Sequence, residues 1–329
     1  MSPTRRAWWI GSVLLAMALA LLVLGMGIGS TGFERMGAAW QDPVALQIVW
    51  DIRLPRTLGA WLAGALLGLA GAVAQGLFRN PLADPYLLGS ASGASMGVAV
   101  ALLLFGASPT STEWVVRLGL TGAAFVGAVL AVLLTLTLAR GVQQTLRLLL
   151  AGVIVGVVLG AVKDLISIAS VDIMQALTGF MLGSTGLVGW SACGVMAALA
   201  AACLVASWAL APVLDGLALG EATARSLGLP LGGMRAALIA VLALATGAAV
   251  AQTGLIAFVG LASPHLVRSL LKTTHARLIM LSALMGGLLL MAADLGARWL
   301  IAPQELPVGV LTAVLGGSYL LWLMHRKKA

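Results

Sequence analysis

The sequence predicts an all-α membrane protein of about ten transmembrane helices, organised as one domain over residues 1–329. Hydrophobic residues make up 61% of the chain and charged residues 9%, whereas soluble domains carry about 25% charged residues. The mean hydropathy is +1.07. The apolar runs approach the roughly 20 residues needed to cross a hydrocarbon core of about 30 Å. These runs are continuous and not alternating, which indicates helices and argues against a barrel of β-strands.

The first predicted span follows Arg5 and Arg6 and covers residues 8–29. Its apolar run exceeds the about 7–15 residues of a signal peptide and lacks a convincing small-residue cleavage site, so a retained span is predicted. Only Thr253 and Gly254 separate two of the later spans. The nine later spans are predicted near residues 57–77, 87–106, 115–138, 148–169, 190–211, 236–253, 255–271, 277–301 and 307–324.

The distribution of basic residues predicts the orientation. With a cytoplasmic N-terminus, 13 of the 19 Lys and Arg residues fall on the cytoplasmic side and five on the outer side, while Lys163 lies within a span. This bias agrees with the excess of positive charge in cytoplasmic loops and places both termini in the cytoplasm. The net charge of +8 therefore reflects orientation and does not indicate nucleic-acid binding.

The sequence carries no motif for nucleotide binding or catalysis. It has no G-x-x-x-x-G-K-[ST] and no H-E-x-x-H, and no nucleophile stands beside a base. His265, His275 and His325 share no ligand spacing, and Cys193 and Cys203 lie in one apolar span. These residues are interpreted as structural, with no metal or cofactor in this chain. A transport protein is therefore favoured over an enzyme.

Residues 213–234 form a weakly charged segment between two predicted spans, on the cytoplasmic side. The segment is predicted to form two short helices. Asp215 can cap the first helix and Gly220 ends it. Glu221 and Arg225 stand one turn apart on the second helix.

Gly228 is predicted to end this second helix. Leucines recur along the segment and give it an apolar side. An ordered loop with so little charge is typical of a surface that docks into a groove of another protein. An amphipathic helix lying on lipid is the alternative.

Small residues recur four apart on three predicted spans. Such rows allow helices to approach closely in lipid, so packing is their first interpretation. The row on the fifth span could also keep one helix face narrow beside a pathway. The rows are Gly64 and Gly68; Gly93 and Gly97; and Gly152, Gly156 and Gly160.

Lys163 and Asp164 are adjacent charges within the fifth predicted span. A charge inside the membrane is costly unless it is paired or faces water. Neighbours in sequence point about 100° apart on a helix, so the two residues are not expected to pair directly. Two interpretations stay open: the span lines a water-accessible pathway, or each charge pairs with another helix.

Three arginines are predicted on the outer side, where the orientation rule disfavours them. Arg53 and Arg56 precede the second span, and Arg298 lies near the end of the ninth, four residues after Asp294. Asp294 and Arg298 are expected to pair within the helix, with Arg298 reaching outward. Exposed arginines could dock an acidic partner or bind lipid headgroups.

Four long motifs stand in order along the chain. They are RLPRTLGAWLAGALLGLAGAVAQGLFRNPLADPYLLGSASGA at 53–94, GLIAFVGLASPHLVR at 254–268, AADLGAR at 292–298 and PQELPVG at 303–309. With these motifs the sequence resembles the FecCD-type permeases of ABC importers for iron–siderophore complexes, haem and cobalamin. The similarity runs over nearly the whole chain.

This resemblance implies a fold, a location and a set of partners. It implies ten spans per chain and a homodimer in the bacterial inner membrane, with the pathway at the dimer interface. It also implies two ATPase subunits, which hold ATP and Mg and hydrolyse the nucleotide, and one periplasmic substrate-binding protein. Membrane lipid surrounds the complex and nucleic acid has no part in it.

The resemblance also implies roles for particular residues. Arg53, Arg56 and Arg298 are expected to meet glutamates of the binding protein, and residues 213–234 to enter a groove of the ATPase. Lys163 and Asp164 lie outside the family pattern. The expected coupling residues are Asp215, Gly216, Leu219, Gly220, Glu221, Ala222, Arg225, Leu227 and Gly228. The expected pathway and gate residues are Asn80, Pro81, Leu82, Gln143, Gln144, Thr145, Gly152, Gly156 and Gly160.

The cargo and the energy source have alternatives. Haem is the favoured cargo, with siderophore and cobalamin still open, because the chain carries no chelating group that would choose among them. A stand-alone secondary transporter with Lys163 and Asp164 as its proton-coupling site is the main alternative function. A membrane enzyme that acts on lipid is a third hypothesis, disfavoured by the missing catalytic motifs.

Overall fold

A computed structural model describes residues 2–29, 32–33, 42–105, 114–139, 145–226, 228 and 230–326. Over these residues the chain is almost entirely helical, with one short antiparallel pairing of β1 (Ile28–Gly29) and β2 (Gly32–Phe33). Three of the predicted site residues, Gln143, Gln144 and Leu227, lie outside the described residues.

The helices follow one another with short connections. A π-helical turn, Val49–Arg53, joins α2 directly to α3. The helices are α1 (Pro3–Gly27), α2 (Pro43–Ile48), α3 (Leu54–Leu77), α4 (Ser90–Phe105), α5 (Trp114–Leu138), α6 (Thr145–Ser167), α7 (Val171–Leu182), α8 (Trp190–Ala218), α9 (Glu221–Ser226), α10 (Leu231–Thr253), α11 (Val259–Leu270), α12 (His275–Trp299) and α13 (Val308–Arg326).

Long apolar helices confirm that the chain is a polytopic membrane protein. Among the described residues, seven helical stretches are long and apolar enough to cross a membrane, and α4, α7 and the apolar part of α13 are shorter. The predicted span at 255–271 corresponds to α11, which has 12 residues and so extends only about 18 Å. Helix α7 was not predicted. The number of ten spans therefore stays a prediction.

Helix α3 is the centre of the bundle, and glycine allows α12 to lie directly against it. A Cβ atom on Gly64 would collide with the carbonyl oxygen of Gly286, and one on Gly68 would collide with that of Ser282. Most of α3 is buried as a result. The packing interpretation of this glycine row is confirmed, and the row at Gly93 and Gly97 packs α4 against α5 in the same way.

The chain leaves helical geometry between α10 and α11, where Gly254 has φ +68 and Phe258 has φ +66. Backbone groups in lipid must be paired within the protein, and the end of α7 supplies these partners. The amide of Leu255 donates to the carbonyl of Phe180 at 3.1 Å, and the amide of Ser184 donates to that of Thr253 at 2.7 Å. This irregular segment explains why α11 is shorter than predicted.

The helix directions define two faces of the bundle, which we name after residues that lie on them. The N-terminal face holds the start of α1, the end of α3 and the start of α12. The Arg56 face holds the end of α1, the start of α3 and the end of α12. Close contacts agree with this arrangement, because Gly25 lies against Thr57 and Gly76 lies against the His275 ring.

Candidate functional site

The Arg56 face contains a buried ionic network centred on Asp294. The Asp294 side chain is 0% exposed. One of its carboxylate oxygens, Oδ1, accepts from Arg56 Nε at 3.4 Å and from Arg56 Nη2 at 3.3 Å, and also from the Thr185 hydroxyl. Its Oδ2 pairs with Arg298 one turn along α12. A buried charge is stable only when it is paired in this way, so the network connects α3, α12 and the segment after α7.

Arg298 is part of this network and is not an exposed docking residue. The predicted pair with Asp294 within the helix is confirmed, but Arg298 is 1% exposed and does not reach outward. Its Nη2 also donates to the Thr57 hydroxyl at 3.3 Å. Its Nε is buried with no hydrogen-bond partner among the described residues. In this conformation Arg298 is covered by the rest of the chain, which corrects the expectation that it reaches outward; its docking to a partner's glutamate stays a prediction.

Arg53 and Arg56 are also largely covered. Arg53 is 8% exposed and its Nη1 donates to the carbonyl of Met26 at 3.3 Å. The Arg56 side chain is 12% exposed and forms two contacts with Glu305, Nη1 to Oε1 at 3.0 Å and Nη2 to Oε2 at 2.8 Å. Arg56 therefore forms an ion pair with a carboxylate that is itself partly exposed.

The N-terminal face contains the segment 213–234. Helix α8 continues through Pro212 to Ala218, so Asp215 lies inside a helix and does not cap a new one, contrary to prediction. Its Oδ1 instead accepts from the His275 amide at 3.0 Å and contacts the His275 ring at Nδ1 at 2.7 Å. Asp215 thus satisfies an N-terminal amide of α12, and the same His275 ring packs on Gly76 at the end of α3.

Glu221 holds α9 against the start of α10. Its carboxylate receives two contacts from Arg235, at 3.3 Å to Oε1 and 3.0 Å to Oε2. The predicted pair with Arg225 is confirmed at 2.7 Å. The hydrogen bond from Arg235 is the main cause that lowers the pKa of Glu221, and the charges of both arginines act in the same direction.

Two glycines end the helices of this segment where they were predicted to. Gly220, with φ +110, separates α8 from α9, and Gly228, with φ +78, follows α9. Both angles lie in the region that favours glycine. Gly216 and Ala224 are buried against the bundle, whereas Leu219, Ala222 and Arg225 are exposed. The segment therefore presents a small mixed surface on a framework fixed by Asp215 and Glu221.

The predicted gate residues lie at the same face. Asn80 follows α3, and its Oδ1 accepts from the Leu82 amide at 2.9 Å. Asn80, Pro81 and Leu82 are all exposed, with Leu82 at 54%. Thr145 is the first residue of α6.

The three glycines of the row on α6 differ in how closely other residues pack against them. A Cβ atom on Gly152 would collide with the carbonyl oxygen of Leu87. A Cβ atom on Gly156 would make ordinary contact with Ser92 at 3.6 Å, and one on Gly160 would meet nothing within 4 Å among the described residues. Packing therefore explains the first glycine, while the last faces outward.

Lys163 and Asp164 form a direct ion pair of 2.6 Å between Nζ and Oδ1, contrary to prediction. The angle between neighbouring positions did not prevent pairing because the lysine side chain is long enough to turn back. Lys163 Nζ also contacts Met181 Sδ at 3.3 Å. Since α6 ends at Ser167, the pair lies in the last turns of the helix and not deep within it. The Asp164 side chain is 69% exposed.

Asp294, Glu305 and Arg235 were missed as site residues. The sequence indicated Asp294 only as a partner of Arg298, and it indicated no role for Glu305 beyond its place in the PQELPVG motif. The available signal was an acidic residue in each of two motifs, AADLGAR and PQELPVG, that accompany the arginines. No group of three or more His, Cys, Asp or Glu within the described residues is arranged to hold a metal.

Comparisons with known proteins agree with this architecture. The model of a family described as the FecCD transport family matches residues 14–326. The vitamin B12 import system permease protein BtuC of Escherichia coli O157:H7 (strain EC4115 / EHEC) is 41% identical over 318 residues, covering 96% of this chain and 94% of that protein. Its namesake from Shigella boydii serotype 18 is 41% identical over 322 residues, covering 97% and 95%.

Solved structures share the fold. A metal-chelate type ABC transporter in an inward-facing conformation matches with a TM-score of 0.86 at 28% identity, covering 96% of this chain and 99% of that one. PsaBC from Streptococcus pneumoniae in complex with Fab matches with a TM-score of 0.58 at 17% identity, covering 87% and 92%. The second likeness concerns the fold alone.

Proposed function

The chain belongs to the FecCD transport family, and from that premise we propose that it is the permease subunit of an ATP-driven importer in a bacterial inner membrane. The observation that carries the proposal is the family match over residues 14–326, together with 41% identity to named import permeases over 96% of the chain. These relatives are transport components, in agreement with the prediction that the chain is not an enzyme.

We propose cobalamin as the cargo. The relatives are named as vitamin B12 import permeases, and the structure with the TM-score of 0.86 is of a metal-chelate type transporter. Cobalamin, a cobalt chelate, fits both descriptions. The sequence favoured haem, and the comparisons do not support that choice.

A second copy of the chain would complete the pathway. Helix α3 is buried, whereas α6 exposes Val153, Val157 and Leu165 at 55%, 67% and 70%. An apolar face of this kind can contact lipid or another protein. The homodimer implied by the family resemblance would place α6 of both copies beside the pathway, with the open Gly160 position on the same helix.

We propose that the N-terminal face lies on the cytoplasmic side of the membrane and that two ATPase subunits dock there. The exposed residues Leu219, Ala222 and Arg225 would enter the ATPase groove. Asp215 and Glu221 would transmit movement, because Asp215 contacts the start of α12 and Glu221 contacts the start of α10. Asn80, Pro81 and Leu82 would lie beside the cytoplasmic gate.

A periplasmic binding protein would dock at the Arg56 face. Arg56 is the proposed contact with a carboxylate of this partner. Arg298 and Arg53 would act indirectly, since they are covered and fix the surroundings of α3. ATP binding by the ATPases and docking of the loaded binding protein would each stabilise one conformation of the bundle over another, which is the only way a ligand can drive such a change.

Co-purification and cargo screening test this proposal. The tagged chain, isolated from its native host, is expected to bring an ATPase subunit with it. The matching binding protein is expected to bind cobalamin in preference to haem and ferric siderophores. Isolation of the chain without any ATPase, or a binding protein selective for haem, would contradict the corresponding part of the proposal.

A further inference from the structure

We propose that Glu305 is an internal competitor for docking: in the free permease it occupies the place on Arg56 that a carboxylate of the binding protein takes on arrival. The inference rests on the proposed docking of an acidic partner at Arg56. It assigns a role to Glu305 of the PQELPVG motif at 303–309, whose Gly309 already packs against the carbonyl oxygens of Leu182 and Leu255.

The Arg56 guanidinium already has carboxylate partners on all three of its nitrogens. Asp294 accepts from Nε at 3.4 Å and from Nη2 at 3.3 Å. Glu305 accepts from Nη1 at 3.0 Å and contacts Nη2 at 2.8 Å. A third carboxylate can obtain the two parallel hydrogen bonds that make arginine pairing strong only by replacing one of these two.

Burial decides which carboxylate gives way. Asp294 is 0% exposed, lies within α12 and also pairs with Arg298 and Thr185. Its removal from Arg56 would take two charge-assisted hydrogen bonds from a carboxylate that water cannot reach. Glu305 is 31% exposed and lies in the connection between α12 and α13. A displaced Glu305 can be hydrated, so it is the exchangeable partner.

This exchange defines the partner that fits the Arg56 face. Replacing one carboxylate by another keeps Arg56 paired in both states, so a partner that presents only neutral or basic groups gains nothing there. The matching partner is a soluble protein whose docking surface carries a carboxylate that can reach into the position of Glu305. Glu305 also stands three residues before Val308, the first residue of α13, so its release removes one of the contacts that hold the connection leading into that helix.

Affinity measurements on the complete permease–ATPase complex in nanodiscs test the competition. The probe is the importer's own periplasmic binding protein, immobilised, at low ionic strength. Glu305→Gln is expected to tighten capture about 2- to 5-fold, the range for loss of a partly exposed ion pair. Glu305→Asp keeps the charge but shortens the reach, so it should fall between Glu305→Gln and the wild type. Asp172→Asn removes the same charge from exposed α7 and should change affinity less than about twofold.

Arg56 variants separate this inference from the docking proposal. Arg56→Gln, and Arg56→Lys as a variant that keeps the charge beside Asp294, are both expected to weaken capture. If they do and both Glu305 variants bind no more tightly than the wild type, the competition is overturned and docking at Arg56 stands. If both Arg56 variants bind as tightly as the wild type, docking at Arg56 is wrong and the competition is overturned with it.

Discussion

The two faces of the bundle both contain a carboxylate held by two arginines, but they differ in burial. On the Arg56 face, Asp294 is 0% exposed and pairs with Arg56 and Arg298. On the N-terminal face, Glu221 is 26% exposed and pairs with Arg225 and Arg235. The Asp294 network fixes the relation of long helices, whereas the Glu221 network, with Arg235 buried and Arg225 exposed, holds a short helix in place. The comparison indicates that the Asp294 network serves the fold, and we propose that the Glu221 network serves movement.

The largest expected effect comes from removing the centre of the buried network. Asp294→Asn leaves the buried Arg298 without a charged partner and should lower stability by about 3–5 kcal/mol. Glu221→Gln, the equivalent change at the other face, should cost less, about 1–3 kcal/mol, because water reaches the Glu221 position although Arg235 is buried. Thermal unfolding of both variants in the same detergent measures the difference. Equal losses of stability would show that burial does not separate the two networks.

The buried network also depends on the close approach of α3 and α12. Gly64→Ala introduces a Cβ atom that collides with the Gly286 carbonyl oxygen, and overpacking of this kind costs about 1–3 kcal/mol. Gly179→Ala is the matched control, because a Cβ there meets nothing within 4 Å among the described residues. The melting temperature of Gly64→Ala should fall while that of the control stays or rises. A fall in the control alone would contradict the packing.

The Glu221 network should affect coupling more than stability. Glu221→Arg places three positive charges together and should uncouple ATP hydrolysis from uptake in the assembled importer. The exchange Glu221→Arg with Arg235→Glu should restore part of the uptake, with a coupling of about 0.5–3 kcal/mol between the two positions. Hydrolysis and uptake are measured in the same proteoliposomes. Normal uptake by Glu221→Arg would remove the coupling role from α9.

The smallest expected effect is on pH dependence. Arg235 lowers the pKa of Glu221 below its ordinary value of 4.5, so this pair stabilises the fold above about pH 4.5, and the contribution is lost as the pH falls through the lowered value. The difference in stability between wild type and Glu221→Gln should be constant from pH 6 to 8 and shrink in acid. A difference that changes between pH 6 and 8 would show that another group controls the contact.

The sequence predicted the long helices well because an uninterrupted apolar run has few alternatives in lipid. It failed at α11, since residues 254–258 are as apolar as their surroundings, and neither their left-handed φ angles nor their hydrogen bonds to the end of α7 are visible in the sequence. It missed α7 because that helix has only 12 residues, too few to be recognised as a span. The glycine rows predicted close helix contacts correctly because such packing needs small residues at a fixed spacing.

The site was predicted only in part, because its contacts join distant positions. The arginines of the Arg56 face were identified, but Arg56 lies 238 residues from Asp294 and 249 from Glu305, and spacing in sequence carries no information on such pairs. The local pair of Glu221 and Arg225 was predicted from helix geometry. The pair of Glu221 with Arg235, which lies beyond the turn after α9, was not predicted.

Uptake of radiolabelled cobalamin into proteoliposomes tests the proposed function most directly. The vesicles contain this chain with its ATPase inside and the loaded binding protein outside, and a parallel set contains this chain alone with an imposed proton gradient. Accumulation is expected only in the first set and only with internal ATP. Gradient-driven accumulation by the chain alone, or none with the complete importer and ATP, would contradict a cobalamin permease driven by a separate ATPase.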